Sequence, residues 1–122
     1  MVGFEIIGLK ETQRRLNTVG KSISPALNKA MKKIGPFMQN EVKASVAGRR
    51  AEKTSVDTGR FLNSILFQLG NESVKILTEL DYPKALEFGT SRIKPRRHFS
   101  NSLDRNKKEI IGIIENEIKK IT

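Results

Sequence analysis

An apolar stripe along residues 23–46 is the feature that most constrains the fold of this chain. Its members recur at spacings of three and four, which is the period of a helix with one buried face. They are Ile23, Ala26, Leu27, Ala30, Met31, Ile34, Met38, Val42 and Val46. Ser24-Pro25 is suited to a helix start, and Gly35-Pro36 predicts either a kink or a break into two helices. The apolar phase continues past Pro36, which favours a kink, so we expect a long kinked helix over about 24–46.

Alternating segments on either side of Gly70-Asn71 predict the layer that covers this helix. Residues 62–69 and 73–78 alternate apolar and polar side chains, which is typical of a β-hairpin, here over about 62–80 with a type II′ turn. Residues 4–7 predict a short N-terminal strand at an edge of the sheet, and residues 9–19 a short helix. The expected fold class is therefore α+β, with a small antiparallel sheet packed against the long helix and a C-terminal helix.

The C-terminal helix is predicted over about 100–121 by a second apolar stripe at helical spacing. Its members are Phe99, Leu103, Ile110, Ile113, Ile114, Ile118 and Ile121. Asn101 and Asp104 have the spacing of a capping pair, although Asp is not the usual residue at the second position.

The composition bounds the classes of protein to consider. A chain of 122 residues is expected to form a single domain, 1–122, and the absence of cysteine excludes disulfides, thiolate catalysis and Cys-based zinc sites. No apolar segment approaches the roughly 18 residues of a membrane span, and the first residues lack the pattern of a signal peptide. We therefore expect a cytosolic origin without membrane contact. The net charge of +10 makes contact with nucleic acid or an acidic protein surface electrostatically easy.

Two basic segments are the candidate partner interface. Residues 47–56 have almost nothing to bury and are predicted to form a mobile loop. Residues 92–98 hold four permanent cations, and no acidic residue lies between Phe88 and Leu103. This second segment is either a solvated loop, a phosphate-contacting strip or a contact with an acidic neighbouring subunit. The candidate contact residues are Arg49, Arg50, Lys53, Arg92, Lys94, Arg96 and Arg97.

The sequence argues against an enzyme and implies no metal and no cofactor. His98 is the only histidine and is expected to be an exposed side chain between a loop and a helix. The carboxylates of Asp57, Asp81 and Glu87 have no spacing that demands acid–base work or a divalent ion. No phosphate loop, nucleophile elbow or zinc signature is present.

Two short turn motifs, at residues 57–60 and 87–90, are the most distinctive segments. They consist of Asp57, Thr58, Gly59 and Arg60, and of Glu87, Phe88, Gly89 and Thr90. Gly59 is suited to a positive φ, and Gly89 to a reversal of the chain. We expect Arg60 to pair with Glu87 and so to join the two turns, and Phe88 to lie in the core.

These motifs, in this order, resemble the family of bacteriophage tail-completion, or head–tail joining, proteins. The likeness extends along most of the chain, through Phe4 with Gly8-Leu9, the turn at 56–60 followed by Asn63-Ser64-Ile65, Tyr82, the second turn, and the basic run that ends at Phe99. The sequence departs from the family pattern at His98, where proline is usual, at Ser102-Leu103 in place of Pro-Ala, and at Pro83-Lys84 after the tyrosine.

The resemblance implies a structural virion protein of the phage neck or tail end, made in the host cytoplasm. The expected partners are copies of itself in a ring, with a hexamer implied by the family, and other neck and tail proteins. Non-specific contact with packaged DNA is a third, weaker expectation. The alternative is a small basic protein that binds nucleic acid through phosphates without sequence preference.

Overall fold

A computed structural model of the chain describes residues 2–7, 24–50, 59–80, 83–89 and 97–120. In chain order its elements are β1 Val2–Ile7, α1 Ser24–Val46, α2 Arg60–Ser64, β2 Leu66–Gly70, β3 Ser73–Thr78, α3 Pro83–Phe88, α4 His98–Arg105 and α5 Lys107–Lys119. The α+β class is confirmed: a three-stranded antiparallel sheet packs against the helices. The helix predicted over 9–19, and residues 51–56 of the predicted mobile loop, lie outside the described residues.

The sheet has the strand order β1-β3-β2, so the hairpin and an N-terminal edge strand are both confirmed. The register places Phe4 opposite Ile76, and Ile76 opposite Phe67, in one row across the three strands. Ile76 belongs to the hydrophobic core that includes the buried face of α1, and the partly buried Phe4 and Phe67 pack against this core.

Helix α1 is the centre of the core, since every described member of its apolar stripe is buried. The helix continues without a break through Pro36, which excludes the alternative of two helices. Pro36 has no N–H, so the carbonyl of Lys32, four residues earlier, lacks its helical hydrogen bond. Both residues are exposed, so water can reach this carbonyl. The neighbouring Gly35 is buried, and a Cβ on it would lie 2.6 Å from Cδ2 of Phe67. Gly35 therefore allows the close approach of α1 to β2.

The hairpin is shorter at its start than the alternation suggested. Residues 60–64 form the short helix α2, in which Asn63 N–H donates to the Gly59 carbonyl at 2.9 Å and the Ser64 hydroxyl donates to the Phe61 carbonyl at 2.7 Å. Apolar and polar residues alternate here as they do in a strand, but the hydrogen bonds within residues 59–64 stabilise a short helix instead. Strand β2 begins only at Leu66.

The predicted type II′ turn is wrong by one residue. Gly70 pairs with Ser73, so the loop is Asn71-Glu72, and the positive φ of 58° is at the second loop residue rather than the first. The Glu72 N–H donates to Oδ1 of Asn28 at 2.8 Å. This bond from α1 holds the turn in a conformation that is uncommon for glutamate.

The C-terminal stripe is divided between two helices. Asn106 interrupts it with φ −108° and ψ 10°, and its side-chain amide donates to the Ser102 carbonyl at 2.8 Å and to Oε1 of Glu41 at 3.1 Å. The helical segment begins at His98, so the proposed capping pair Asn101–Asp104 is wrong because both residues lie inside α4.

Candidate functional site

The side chain of Glu87 caps the amino end of helix α4. Its carboxylate accepts hydrogen bonds from the backbone N–H groups of Phe99 and Ser100, each at 2.9 Å, and from the Ser100 hydroxyl. Only 3% of Glu87 is exposed. The first N–H groups of a helix lack intrahelical partners and carry partial positive charge, so a buried carboxylate is well suited to this position.

This arrangement corrects two expectations about the second turn motif. Phe88 was expected in the core but is 66% exposed. The side chains of consecutive helical residues point in directions about 100° apart. When Glu87 of α3 faces the interior, the side chain of Phe88 therefore faces solvent. The contacts of Glu87 described above are with α4 and not with Arg60, whose side chain is exposed. The predicted ion pair between Arg60 and Glu87 is therefore wrong, and Glu87 caps α4 instead.

The residue directly after the first turn motif packs at the amino end of α4. Gly59 has φ 78°, which confirms its predicted positive φ, and α2 begins directly after it. The buried ring of Phe61 contacts His98 edge-on, at 6.0 Å between ring centres, and Phe99 at 6.4 Å. Phe61, directly after the first motif, and Glu87 of the second motif therefore both contact the amino end of α4. Asp57, Thr58 and Thr90 lie outside the described residues.

His98 is buried rather than exposed, with 1% of its surface accessible. Its Nδ1 lies 2.8 Å from the hydroxyl oxygen of Ser45, which is also buried. A serine beside a histidine is the arrangement of an activated nucleophile only where substrate can reach the hydroxyl. At this depth the pair satisfies its own polar groups and ties α4 to the carboxyl end of α1.

The burial of His98 was missed because the residue ends a basic run. The preceding residue, Arg97, has φ 54° and is exposed. This left-handed residue turns the chain so that the guanidinium faces water while the next side chain enters the core. Its sequence signal is weak, since arginine is not a typical residue for positive φ.

Only part of the candidate partner interface lies within the described residues. Arg49, Arg50 and Arg97 are described and exposed, whereas Lys53, Arg92, Lys94 and Arg96 lie outside. Arg50 binds Glu41 at the end of α1, with Nη2 2.7 Å from Oε2. The hydrogen bond from Arg50, together with a smaller contribution from the Asn106 amide, holds the pKa of Glu41 below its ordinary value despite partial burial.

A further basic surface, in addition to the two basic segments, was not recognised in the sequence. We define the lysine patch as Lys29, Lys32 and Lys33 of α1 with Lys120 after α5, which together line a shallow depression around Glu117. Glu117 is buried and forms ion pairs with Lys33 and with Lys120, the latter at 3.1 Å. The hydrogen bonds from Lys33 and then Lys120 lower the pKa of Glu117. One carboxylate among four ammonium groups leaves this surface strongly positive.

Neither a metal centre nor a membrane-spanning helix is found in the described part of the chain. Within residues 2–7, 24–50, 59–80, 83–89 and 97–120, no three His, Cys, Asp or Glu side chains are grouped so that they could hold a metal ion. No helix in those ranges is long and apolar enough to cross a membrane.

Comparisons with protein-family models, with curated proteins and with solved structures found no match for this chain. Its function is therefore inferred from its residues and their geometry.

Proposed function

We propose that this chain is a non-enzymatic structural protein of the neck or tail end of a long-tailed bacteriophage. It works as a ring subunit that joins or completes the tail at the head–tail interface, and it resides in the virion after synthesis in the host cytoplasm. The proposal begins from the resemblance of the two turn motifs to the tail-completion family. The observation that carries it is that Glu87 of the second motif and Phe61, directly after the first motif, both contact the amino end of α4.

These contacts at the amino end of α4 support a role in presenting the second basic segment, residues 92–98, to a partner. The hydrogen bonds from Phe99 and Ser100 to Glu87 join the chain that precedes residues 90–96 to the chain that follows them. Phe61 packs behind the same junction. The residues on both sides of the segment are therefore held together by hydrogen bonds. This supports a contact between its cations and an acidic surface of a neighbouring protein.

The role is tested by electron microscopy of particles made when the gene is inactivated in its parent genome. DNA-filled heads beside unattached tails of normal length are the expected result and would establish joining. Tails of uncontrolled length would assign the protein to tail termination within the same neck role. Intact, infectious virions would refute the proposal.

The basic segment is tested by complementing the inactivated gene with variants. Arg96→Ala combined with Arg97→Ala should fold normally but restore infectivity poorly. Lys107→Ala combined with Lys108→Ala is the matched control, because both lysines are exposed at the start of α5 and the change in charge is the same. Equal infectivity of the two double variants would remove the segment from the interface.

The lysine patch favours a second candidate function, binding of nucleic acid through its phosphates. Lysines on one surface act as point charges toward phosphate oxygens, and each contact releases counterions, so such affinity falls steeply with salt. We expect Lys29→Ala with Lys32→Ala to reduce both the affinity for duplex DNA and its salt dependence, with the Lys107 and Lys108 variant as control. DNA affinity that is weak and equal in all three proteins would dismiss this function.

A further inference from the structure

Strand β2 has one edge that pairs with no strand among the described residues. Its sequence, Leu66-Phe67-Gln68-Leu69-Gly70, contains neither a charged residue nor a proline. Among the described strands only β3 pairs with it, through five consecutive residue pairs without a bulge. Gln68, Leu69 and Gly70 are exposed. Soluble proteins commonly protect an edge strand with lysine, proline or a bulge, and β2 has none of these.

Strand β1, at the opposite edge, also lacks a proline and a bulge, although it contains one charged residue and contacts α3 and α4. It pairs with β3 through six consecutive residue pairs, also without a bulge. Its one charged residue, Glu5, lies 3.6 Å from Lys75 of β3, a cross-strand pair on the outer face of the sheet. An apolar side chain is exposed on each edge strand: Ile7 is 60% exposed on β1, and Leu69 is 47% exposed on β2.

These two exposed side chains lie at the same end of the sheet. Ile7 is opposite Ser73, which is opposite Gly70, and Leu69 occupies the neighbouring row. In an antiparallel ladder the backbone N–H and C=O groups of alternate residues point away from the paired strand. Each edge strand thus offers a row of backbone donors and acceptors beside one apolar side chain, which is the surface that another strand recognises.

We propose that β2 of one copy of this chain pairs edge to edge with β1 of a second copy, so that the sheet continues from subunit to subunit. The inference rests on the proposed function as a ring subunit, and it identifies the two strands that connect neighbouring subunits. Both strands are antiparallel to β3 and therefore run in the same direction. A β2–β2 dimer would leave the β1 edges unpaired, whereas the β2–β1 joint uses both edges of the sheet. Such head-to-tail joints close into rings when their rotation allows.

The test uses two edge variants and a matched control. Leu69→Lys places a charge on β2, and Ile7→Lys places one on β1. Ile111→Lys, on α5, changes a side chain of similar exposure, 45%, away from the sheet. Mass photometry and sedimentation over a wide concentration range should show that the unmodified chain and Ile111→Lys self-associate alike. Each edge variant should weaken association by at least about tenfold.

Mixing the edge variants identifies the joint. Ile7→Lys retains an intact β2, and Leu69→Lys retains an intact β1, so the mixture should form a dimer that does not grow further. A β2–β2 joint would instead let Ile7→Lys dimerise alone, and this result would overturn the proposal. Circular dichroism establishes that each variant is folded, and Leu69→Glu replaces Leu69→Lys if the latter is not.

Failure of this inference is distinguishable from failure of the neck role. A chain that stays monomeric at every concentration, or an association that Leu69→Lys leaves unchanged, overturns the edge pairing. Unattached tails after inactivation of the gene would then still support the neck role. Infectious virions from the inactivated genome, together with edge-dependent assembly in solution, would refute the neck role and leave the joint established.

Discussion

Replacing Glu87 by alanine should destabilise the whole domain, although the residue is in a helix of only six residues. The substitution removes the acceptor of two backbone N–H groups and one hydroxyl at the start of α4. The Phe99 N–H is at a buried residue and loses its partner outright, whereas Ser100 is exposed and its groups can turn to water.

The magnitude follows from these two environments. A hydrogen bond to a charged acceptor contributes about 1.5–3 kcal/mol, and loss of a helix cap costs about 0.5–2 kcal/mol. Counting the buried N–H fully and the exposed groups weakly, we expect Glu87→Ala to lower the free energy of unfolding by about 2–3 kcal/mol. For a domain of this size that corresponds to a fall of roughly 8–12 °C in Tm.

Urea and thermal unfolding followed by far-UV circular dichroism measure this effect, since the chain contains no tryptophan. Glu87→Gln retains one acceptor oxygen and should lose only about half as much stability. Glu115→Ala, at an exposed position of α5, is the control and should change stability by less than about 0.5 kcal/mol. If Glu87→Ala were as harmless as Glu115→Ala, the carboxylate would not hold the amino end of α4.

Three further predictions concern individual residues. Gly35→Ala should lower the free energy of unfolding by about 1–3 kcal/mol despite the better helix propensity of alanine, because the new Cβ would lie 2.6 Å from a ring carbon of Phe67. At Gly112 a Cβ would meet no atom within 4 Å, so Gly112→Ala should instead stabilise α5. Urea unfolding compares the two variants. Gly89→Val should lower Tm because a φ of 79° is strained for a β-branched residue, and an unchanged Tm would refute the turn. The fold holds the pKa of the Glu41 carboxyl below its ordinary value of 4.5. The ionised carboxylate therefore stabilises the fold fully above that pH, and this stabilisation is lost as the pH falls through the pKa of the folded state. Glu41→Gln should flatten this part of the acid-unfolding curve.

The sequence predicted what depends on local periodicity and on glycine. The stripe of α1 is visible because burial of one helical face imposes its period on the residues themselves. Gly59 and Gly89 were assigned to turns because few other residues tolerate positive φ, and both have it. The loop of the hairpin was misplaced by one residue since its position depends on Asn28, which lies 44 positions away from Glu72.

The sequence did not reveal features that depend on contacts between distant segments. Whether Glu87 or Phe88 faces inward is decided by the position of α4, which no local pattern contains. The burial of His98 depends on Ser45, 53 positions earlier, and the lysine patch on the approach of Lys33 to Glu117, 84 positions later. The partner contacts of the two basic segments stay predictions.

The cap at Glu87 has a consequence for how such a protein can diversify. The hydrogen bond from the Phe99 N–H to Glu87 joins the chain on either side of residues 90–96, and the Phe99 side chain is buried in the core. The entropy lost on closing a loop grows only with the logarithm of its length, by about 0.6 kcal/mol for each doubling. Insertions or deletions within the segment therefore change the closure entropy only slightly. If residues 92–97 contact a partner as proposed, their length and charge can change while Glu87 continues to cap α4.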